Sequence, residues 1–249
     1  MAATVQSIER AFHILRALAV GPAGVSEVAS NVGLPKSTVA RLLATLEAVG
    51  AVERTDEGGY RIGRELQEIT GSIDSGVALA TAVRPHLEHL SSILGEASGL
   101  TLPEGFSSVY VAQVESPTPI QVRDYTGLSL PMHVGPGSLV MMSEWPDDIL
   151  NRYLSRPLQE YTRFTVTDPE LILKRLAAIR EDGHCWIHEE FAEGINSIAA
   201  PVRDRAGRTI GAISAHGPSY RFPQVGEADR IADRVKAAAR RFSLQLETI

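Results

Sequence analysis

Apolar residues Ile8, Phe12, Leu15, Leu18 and Ala19 recur at steps of three and four, which predicts an amphipathic helix over about residues 7–19. Gly21-Pro22-Ala23-Gly24 stops it. Ser26 stands where an N-cap would, ahead of a short helix that turns Val28, Ala29 and Val32 inward. Gly33-Leu34-Pro35 makes a tight break, because glycine suits the end of one helix and proline the first turn of the next. A third helix is expected over about 36–49, with Val39, Leu42, Leu43, Leu46 and Val49 as its buried stripe. Its other face shows Lys36, Ser37, Thr38, Arg41 and Thr45, and Gly50 ends it. Alternating residues on either side of Gly58-Gly59 predict a small hairpin. Three short helices, a glycine-marked turn and a hairpin describe a winged helix-turn-helix over residues 1–64.

Helical spacing continues over 64–95, interrupted by Gly71, Gly76 and Pro85. That fits a linker helix over 65–81 and the first helix of a second domain, 82–249. Beyond residue 100 the pattern turns to short strands, with Val109–Val114 and Ile120–Arg123 the first candidates. Helices are expected over Asp147–Leu154 and Pro169–Asp182. Strands at about 196–203 and 208–215 flank a hairpin turn at Arg203–Arg208, and a last helix covers about 223–245. Strands in runs with helices at the ends indicate an α+β fold around an antiparallel sheet.

Of the 249 residues, 44% are apolar, enough to bury real cores. The net charge is −6, but residues 1–64 carry +1 and the rest −7, which permits a DNA-binding head on an acidic body. No run of ~18 apolar residues predicts a membrane-spanning helix. Charges inside the N-terminal apolar run do not match a signal peptide. The single cysteine, Cys185, excludes an internal disulfide framework and suits a reducing compartment, so a cytoplasmic location is expected.

A recognition helix presents its N-terminal residues to base edges in the major groove, which calls for short polar donors and a cation near the helix start. Lys36, Ser37, Thr38 and Arg41 supply them, with Thr45 one turn on and Ser26 at the start of the preceding helix. Ser and Thr reach phosphates or bases, and Arg reads guanine or binds phosphate. Arg54 and Arg61, on the wing, would meet backbone or minor groove. The plainer reading has Ser37 and Thr38 merely starting a helix and Arg41 solvated; the complete three-helix frame weighs against it.

The order Val5-Gln6-Ser7-Ile8-Glu9-Arg10-Ala11-Phe12, then Leu34-Pro35-Lys36-Ser37-Thr38-Val39-x-Arg41-Leu42-Leu43-x-Thr45-Leu46, resembles the IclR family of bacterial transcription regulators. Gly50-x-Val52-Glu53-Arg54 and Tyr60-Arg61-Ile62-Gly63 continue the match, as do Glu189-Glu190-x3-Gly194-Ile195-x-Ser197-Ile198-Ala199-Ala200-Pro201 and Arg208-x3-Ala212-Ile213-Ser214-x-x-Gly217-Pro218. The resemblance implies a winged-helix domain joined by a helix to a GAF-like effector domain. It also implies dimers, often tetramers, on palindromic operators, and a small organic or aromatic acid as effector, with either activation or repression. Carried over by motif, the effector pocket comprises Met132, His133, Val134 and Gly135, the stretch from Ile187 to Ser197, and Ser214 with His216, with Trp186 the best-placed aromatic. Many relatives read His-x4-Gly-Lys where this chain reads His133-Val134-Gly135-Pro136-Gly137-Ser138, one residue shorter and without the lysine. Position 187 is Ile where some members have an acid, and position 216 is His where some have Ser. These departures favour a larger or more apolar acid over the simplest two- or three-carbon ones.

His184-Cys185-x2-His188 has donors for a metal, but a regular strand points Cys185 and His188 to opposite faces, so no metal and no cofactor is expected. Cys185 as a nucleophile lacks an orienting group, and adjacent Glu189 and Glu190 diverge on a regular element and read as a loop with Glu190 tying down a turn, so no enzyme is expected. Gly135-Pro136-Gly137 lacks the lysine of a phosphate loop. The expected function is a ligand-responsive DNA-binding regulator whose partners are duplex operator DNA, a carboxylate effector and other copies of itself, and no membrane. The alternatives are a metal- or redox-sensing regulator using His184, Cys185 and His188, and a regulator working through protein partners.

Overall fold

A computed structural model describes residues 5–56, 58–66, 75–116, 118–119 and 122–247. The chain divides into two compact units, Met1–Ser75 and Gly76–Ile249. Among the described residues no helix is long and apolar enough to cross a membrane.

The first unit packs α1 (Gln6–Ala19), α2 (Val25–Val32) and α3 (Lys36–Ala48) beside a hairpin of β1 (Val52–Arg54) and β2 (Tyr60–Ile62). Ile14, Leu18, Val28, Val39, Leu43, Val52 and Tyr60 form its core. Gly33 caps α2 in the left-handed region (φ 64°), where a side chain would be strained, and so reverses the chain into α3. Tyr60 ties the hairpin to the α1–α2 turn by exchanging main-chain hydrogen bonds with Ala23, at 2.9 and 3.0 Å.

The phase of α1 differs from the sequence reading. Ile14 and Leu18 are buried, whereas Ile8 and Phe12 are each 56% exposed. Apolar residues wrap more than one stripe of this helix, and Phe12 lies about 200° around from Ile14. The contacts with α2 and α3 select the side bearing Ile14. Two ends also move. Gly24, not Ser26, is the N-cap of α2, and Ser26 sits exposed in its first turn. The α3 helix stops at Ala48, leaving Val49 60% exposed rather than in the buried stripe.

Residues 67–74, most of the first half of the expected linker helix, lie outside the described residues. α4 (Ser75–Leu94) runs through both Gly76 and Pro85 without a break. Its buried Val83, Leu87 and Leu90 anchor it to the sheet and outweigh the amide hydrogen that proline lacks. The sheet has six strands: β3 (Ala97–Glu104), β4 (Ser107–Val114), β5 (Ser129–Pro131), β6 (Cys185–His188), β7 (Ile195–Arg203) and β8 (Thr209–Pro218). All pairings are antiparallel in the order β5-β4-β3-β8-β7-β6. Of the strand expected at 120–123, residues 120 and 121 lie outside the described residues, and Val122 and Arg123 form no strand.

Both faces of the sheet are covered. Leu100, Ile198, Ala200, Val202, Ile213 and Ala215 face α4 and α8 (Ala228–Leu246). Cys185, Ile187, Ala199 and Ala212 join the cluster of α5 (Pro136–Met142), α6 (Asp147–Leu154) and α7 (Pro169–Asp182). α7 begins and ends as its sequence demands: Asp168 accepts the Glu170 and Leu171 N–H groups, Pro169 opens the helix and Gly183 closes it at φ 69°. α5 was not expected, because Gly-Pro-Gly reads as a turn. Here Pro136 is a helix-opening proline, and Gly137 lets α5 lie against the strands: a Cβ there would come within 2.4 Å of Thr101 Oγ1 and 3.2 Å of Ala212 Cβ.

Two imidazoles are buried in this unit, His133 and His216. Burial holds both below the usual histidine range, His216 at about 4 against an ordinary 6.5.

Gly137→Ala should lower the unfolding free energy of the second unit by about 1–3 kcal/mol; an unchanged urea midpoint would contradict the close approach of α5. Stability should also depend on pH through His216. The unfolded chain takes up a proton near pH 6.5 that the folded chain refuses until about pH 4, so the contribution is complete above 6.5 and disappears as pH falls through that window. The loss should be about 3 kcal/mol, with urea midpoints at pH 7 and 4.5 diverging less in His216→Phe than in the parent.

Candidate DNA-binding surface and effector site

In the first unit, the stripe that buries Val39 and Leu43 leaves the opposite face of α3 outward. Lys36, Ser37, Arg41 and Thr45 are exposed and Thr38 is half-buried. Thr45 turns its hydroxyl back to the Arg41 carbonyl at 3.0 Å. Lys36 and Arg41 have no carboxylate partner among the described residues. The wing arginines do: Arg54 lies 3.2 Å from Glu47 with its guanidinium over the Tyr60 ring, and Arg61 lies 2.6 Å from Glu53. These pairs are solvent-exposed and therefore weak, so phosphate can replace the carboxylates.

In the second unit, period-two alternation along β7 and β8 sends Ile198, Ala200, Ile213 and Ala215 toward α4 and α8, and Ser197, Ser214 and His216 the other way. Register then builds two cross-strand rows. Ile187, Ser197 and His216 stand side by side across β6, β7 and β8. Ala199, Ser214, Gly99 and Gln113 stand side by side across β7, β8, β3 and β4. Gly99 is needed bare, since a Cβ would meet the Tyr110 ring at 3.2 Å. Tyr110 lies over it, and burial pushes its hydroxyl up to about 12. His216 is fully buried, with Nε2 3.2 Å from Gln113 Oε1. The rings of Tyr125 and Tyr110 lie 5.3 and 6.1 Å from it, and Phe191 extends this cover from Tyr125 at 5.7 Å. Tyr125 and Phe191 also wall a cavity of about 650 Å³, together with Leu130, Tyr161 and Ile195, with Arg123 on its wall.

The structure therefore brings together four of the nine residues expected at an effector pocket: Ile187, Ser197, Ser214 and His216. Met132 shares the apolar cluster of Ile187. Trp186 projects to the opposite face, where its ring packs 5.3 Å from Phe222, because it alternates with Ile187 on β6. His133 has its capacity filled: Tyr153 donates to its Nδ1 at 2.7 Å and its Nε2 donates to the Gln159 carbonyl at 3.0 Å. Val134 is buried and Gly135 caps α5. Tyr110, Gln113, Arg123 and Phe191 did not stand out in the sequence. Tyr110 and Gln113 are three apart, which simple alternation assigns to opposite faces, and an irregularity in the β3–β4 pairing returns both to one.

The other candidates resolve structurally. Cys185 faces the α5–α7 side and His188 the other, and burial pushes the thiol up to about 12, which keeps it protonated and unreactive. Among the described residues no three His, Cys, Asp or Glu side chains are placed to hold a metal. Glu189, rather than Glu190, ties the turn: it adopts φ 58° and its carboxylate accepts the Gly194 N–H at 2.6 Å. Buried Glu190 instead pairs with Arg175 at 2.6 Å. A second cavity, about 420 Å³, lies between β7 and α8, but Arg203, Arg205 and Lys236 on its wall already engage Glu144, the Glu247 carbonyl and Asp233.

Residues 7–56 match the model of the IclR helix-turn-helix domain, and residues 72–244 that of the bacterial transcriptional regulator IclR C-terminal domain. The HTH-type transcriptional regulator Rv1719 of Mycobacterium tuberculosis is 32% identical over 221 residues, covering 88% of this chain and 84% of the relative. The transcriptional regulator RHA06195 of Rhodococcus sp. RHA1 superposes with a TM-score of 0.65 at 29% identity, covering 98% of this chain and 99% of the other. An IclR homolog from Microbacterium hydrocarbonoxydans, solved in complex with 4-hydroxybenzoate, shares the fold with a TM-score of 0.64 at 23% identity, covering 96% and 98%. The matched segments span both units, and the chain belongs to the IclR family, whose members are DNA-binding transcriptional regulators rather than enzymes.

Proposed function

We propose that this protein binds a palindromic operator as a dimer or tetramer in the cytoplasm, and that a small organic or aromatic acid held in the second unit adjusts that binding. The observation that carries the reading is the outward face of α3, where exposed Lys36, Ser37 and Arg41 stand on a core complete without them. α3 enters the major groove, with Ser37, Thr38 and Arg41 at base edges and Lys36 and Ser26 toward phosphate. Arg54 and Arg61 leave Glu47 and Glu53 for the backbone. In a dimer the two recognition helices take half-sites about 34 Å apart or a multiple of that.

The effector enters the cavity walled by Tyr125, Phe191 and Tyr161, whose volume suits a small ligand. Arg123 supplies a cation for a carboxylate, and the aromatic rings supply faces for an aromatic body. The 4-hydroxybenzoate held by the Microbacterium homolog is an acid of this kind. Effector binding shifts operator affinity only by the difference in its affinity for the DNA-competent and incompetent arrangements.

Arg41→Ala should weaken operator binding by about 1–3 kcal/mol, and a gel-shift titration with unchanged affinity would refute the docking. Arg61→Ala should weaken binding to all sequences alike and reduce the salt slope by about one; fluorescence anisotropy across a salt series reads both. An acid that binds the second unit should change the operator dissociation constant about 5–150-fold, and identical DNA titrations with and without it would remove the sensor role.

A further inference from the structure

Gln113 decides which nitrogen of His216 carries the proton. Two main-chain groups fix its amide: Nε2 donates to the Arg123 carbonyl at 3.1 Å, and Oε1 accepts the Tyr125 N–H at 3.1 Å. A reversed amide would set donor against donor and acceptor against acceptor. His216 Nε2, 3.2 Å from Oε1, must therefore donate to it. In the neutral ring the proton is then spent, and Nδ1 is a bare acceptor. Nδ1 is fully buried and has no hydrogen-bond partner. Ser197, directly across on β7, does not reach it. Burial also disfavours protonating the ring and outweighs the opposite pull of the Asp124 charge.

We propose that His216 Nδ1 is the specificity-determining acceptor of the effector site: it takes a hydrogen bond from an O–H or N–H of the effector and rejects a carboxylate at that end. The inference rests on the reading of this sheet face as the effector site. Tyr125 packs its ring 5.3 Å from that of His216 and also walls the 650 Å³ cavity, so this one residue connects the acceptor to the cavity. Arg123, whose carbonyl orients Gln113, places its guanidinium 5.5 Å from the centre of the Tyr125 ring. The effector then lies with its carboxylate at Arg123 and its donor at His216. Its class is an acid whose far end carries a hydroxyl or an amine. A site built to accept a hydrogen bond discriminates strongly against an isostere that lacks the donor, because the buried acceptor is left unpaired.

The test is calorimetry on the full chain with matched acids: 4-hydroxybenzoate against 4-fluorobenzoate, and 4-aminobenzoate against 4-methylbenzoate. The parent should bind the donor-bearing member of each pair about 10–100-fold more tightly. In His216→Phe the preference should collapse to within about threefold, while Arg123→Ala should weaken both members of a pair alike. Should His216→Phe fail to fold, ¹⁵N NMR of the parent decides: the His216 Nδ1 resonance should move on adding 4-hydroxybenzoate and stay in place with 4-fluorobenzoate. Equal affinity within both pairs, or an unmoved Nδ1 resonance with 4-hydroxybenzoate bound, would overturn the role of His216 and leave the effector reading standing. Absence of binding by all four acids would overturn both.

Discussion

Strand alternation in β7 and β8 is the constraint on which the second unit depends. Both faces of its sheet are covered by helices or loops, and such a sheet is ordinarily apolar throughout. Here one face is apolar, with Ile198, Ala200, Ile213 and Ala215 toward α4 and α8. The other carries Ser197, Ser214 and His216 between Ala199 and Ala212. Buried polar groups persist only where partners exist. Thr101 donates to the Ala212 carbonyl at 3.3 Å, Ser214 to the Gly99 carbonyl at 3.4 Å, and Ser108 shares a 2.6 Å hydrogen bond with Ser138. His216 Nδ1 breaks the rule. Trp186 Nε1, Asn196 Oδ1 and Thr209 Oγ1 are also buried without partners, but His216 Nδ1 is the one of these four on the face that carries Ser197 and Ser214.

The first unit divides its labour along a single helix. Val39 and Leu43 hold α3 to α1, α2 and the hairpin, and stability there comes from that stripe. Ser37 and Arg41 contribute nothing to the core and remain free to meet another molecule. The wing works differently. Its two arginines are preset by Glu47 and Glu53, which hold the guanidinium groups near the surface at little energetic cost.

Much of this was legible in the sequence wherever a local rule decides the outcome. Helix α7 follows from Asp168, Pro169 and Gly183, which satisfy its ends without outside help. Ser214 and His216 share a face because even spacing on β8 guarantees it, whereas Ser197 joins them through the β7–β8 register, and Trp186, expected beside Ile187, is parted from it by alternation on β6. The orientation of α1 was not legible, since Ile8, Phe12, Ile14 and Leu18 offer two apolar sides and tertiary contacts choose one. Neither was α5, whose Gly137 reads as a breaker until Thr101 is seen against it. The pairing of Tyr110 with Gln113 depends on a register irregularity that alternation cannot anticipate. The parting of Cys185 from His188 was legible from alternation itself: β6 sends the two to opposite faces as it aligns Cys185 with Ile187.

The unpaired acceptor has a thermodynamic meaning apart from recognition. In the free protein a buried nitrogen without a donor costs about 1–3 kcal/mol, so the unliganded second unit stands below the stability its packing would otherwise give. A ligand that supplies the donor recovers that cost on binding, in addition to whatever its aromatic body gains against Tyr125 and Phe191. The same atom thus lowers the stability of the empty protein and raises the selectivity of the filled one. Replacing His216 by a serine would remove the ring that Tyr110 and Tyr125 pack against and the acceptor together. Gln113 holds the His216 tautomer, and the main chain of Arg123 and Tyr125 holds Gln113. Recognition at one nitrogen therefore draws its geometry from two main-chain groups of the segment that walls the cavity, and a displacement of that segment on ligand entry would reach His216 through a single amide.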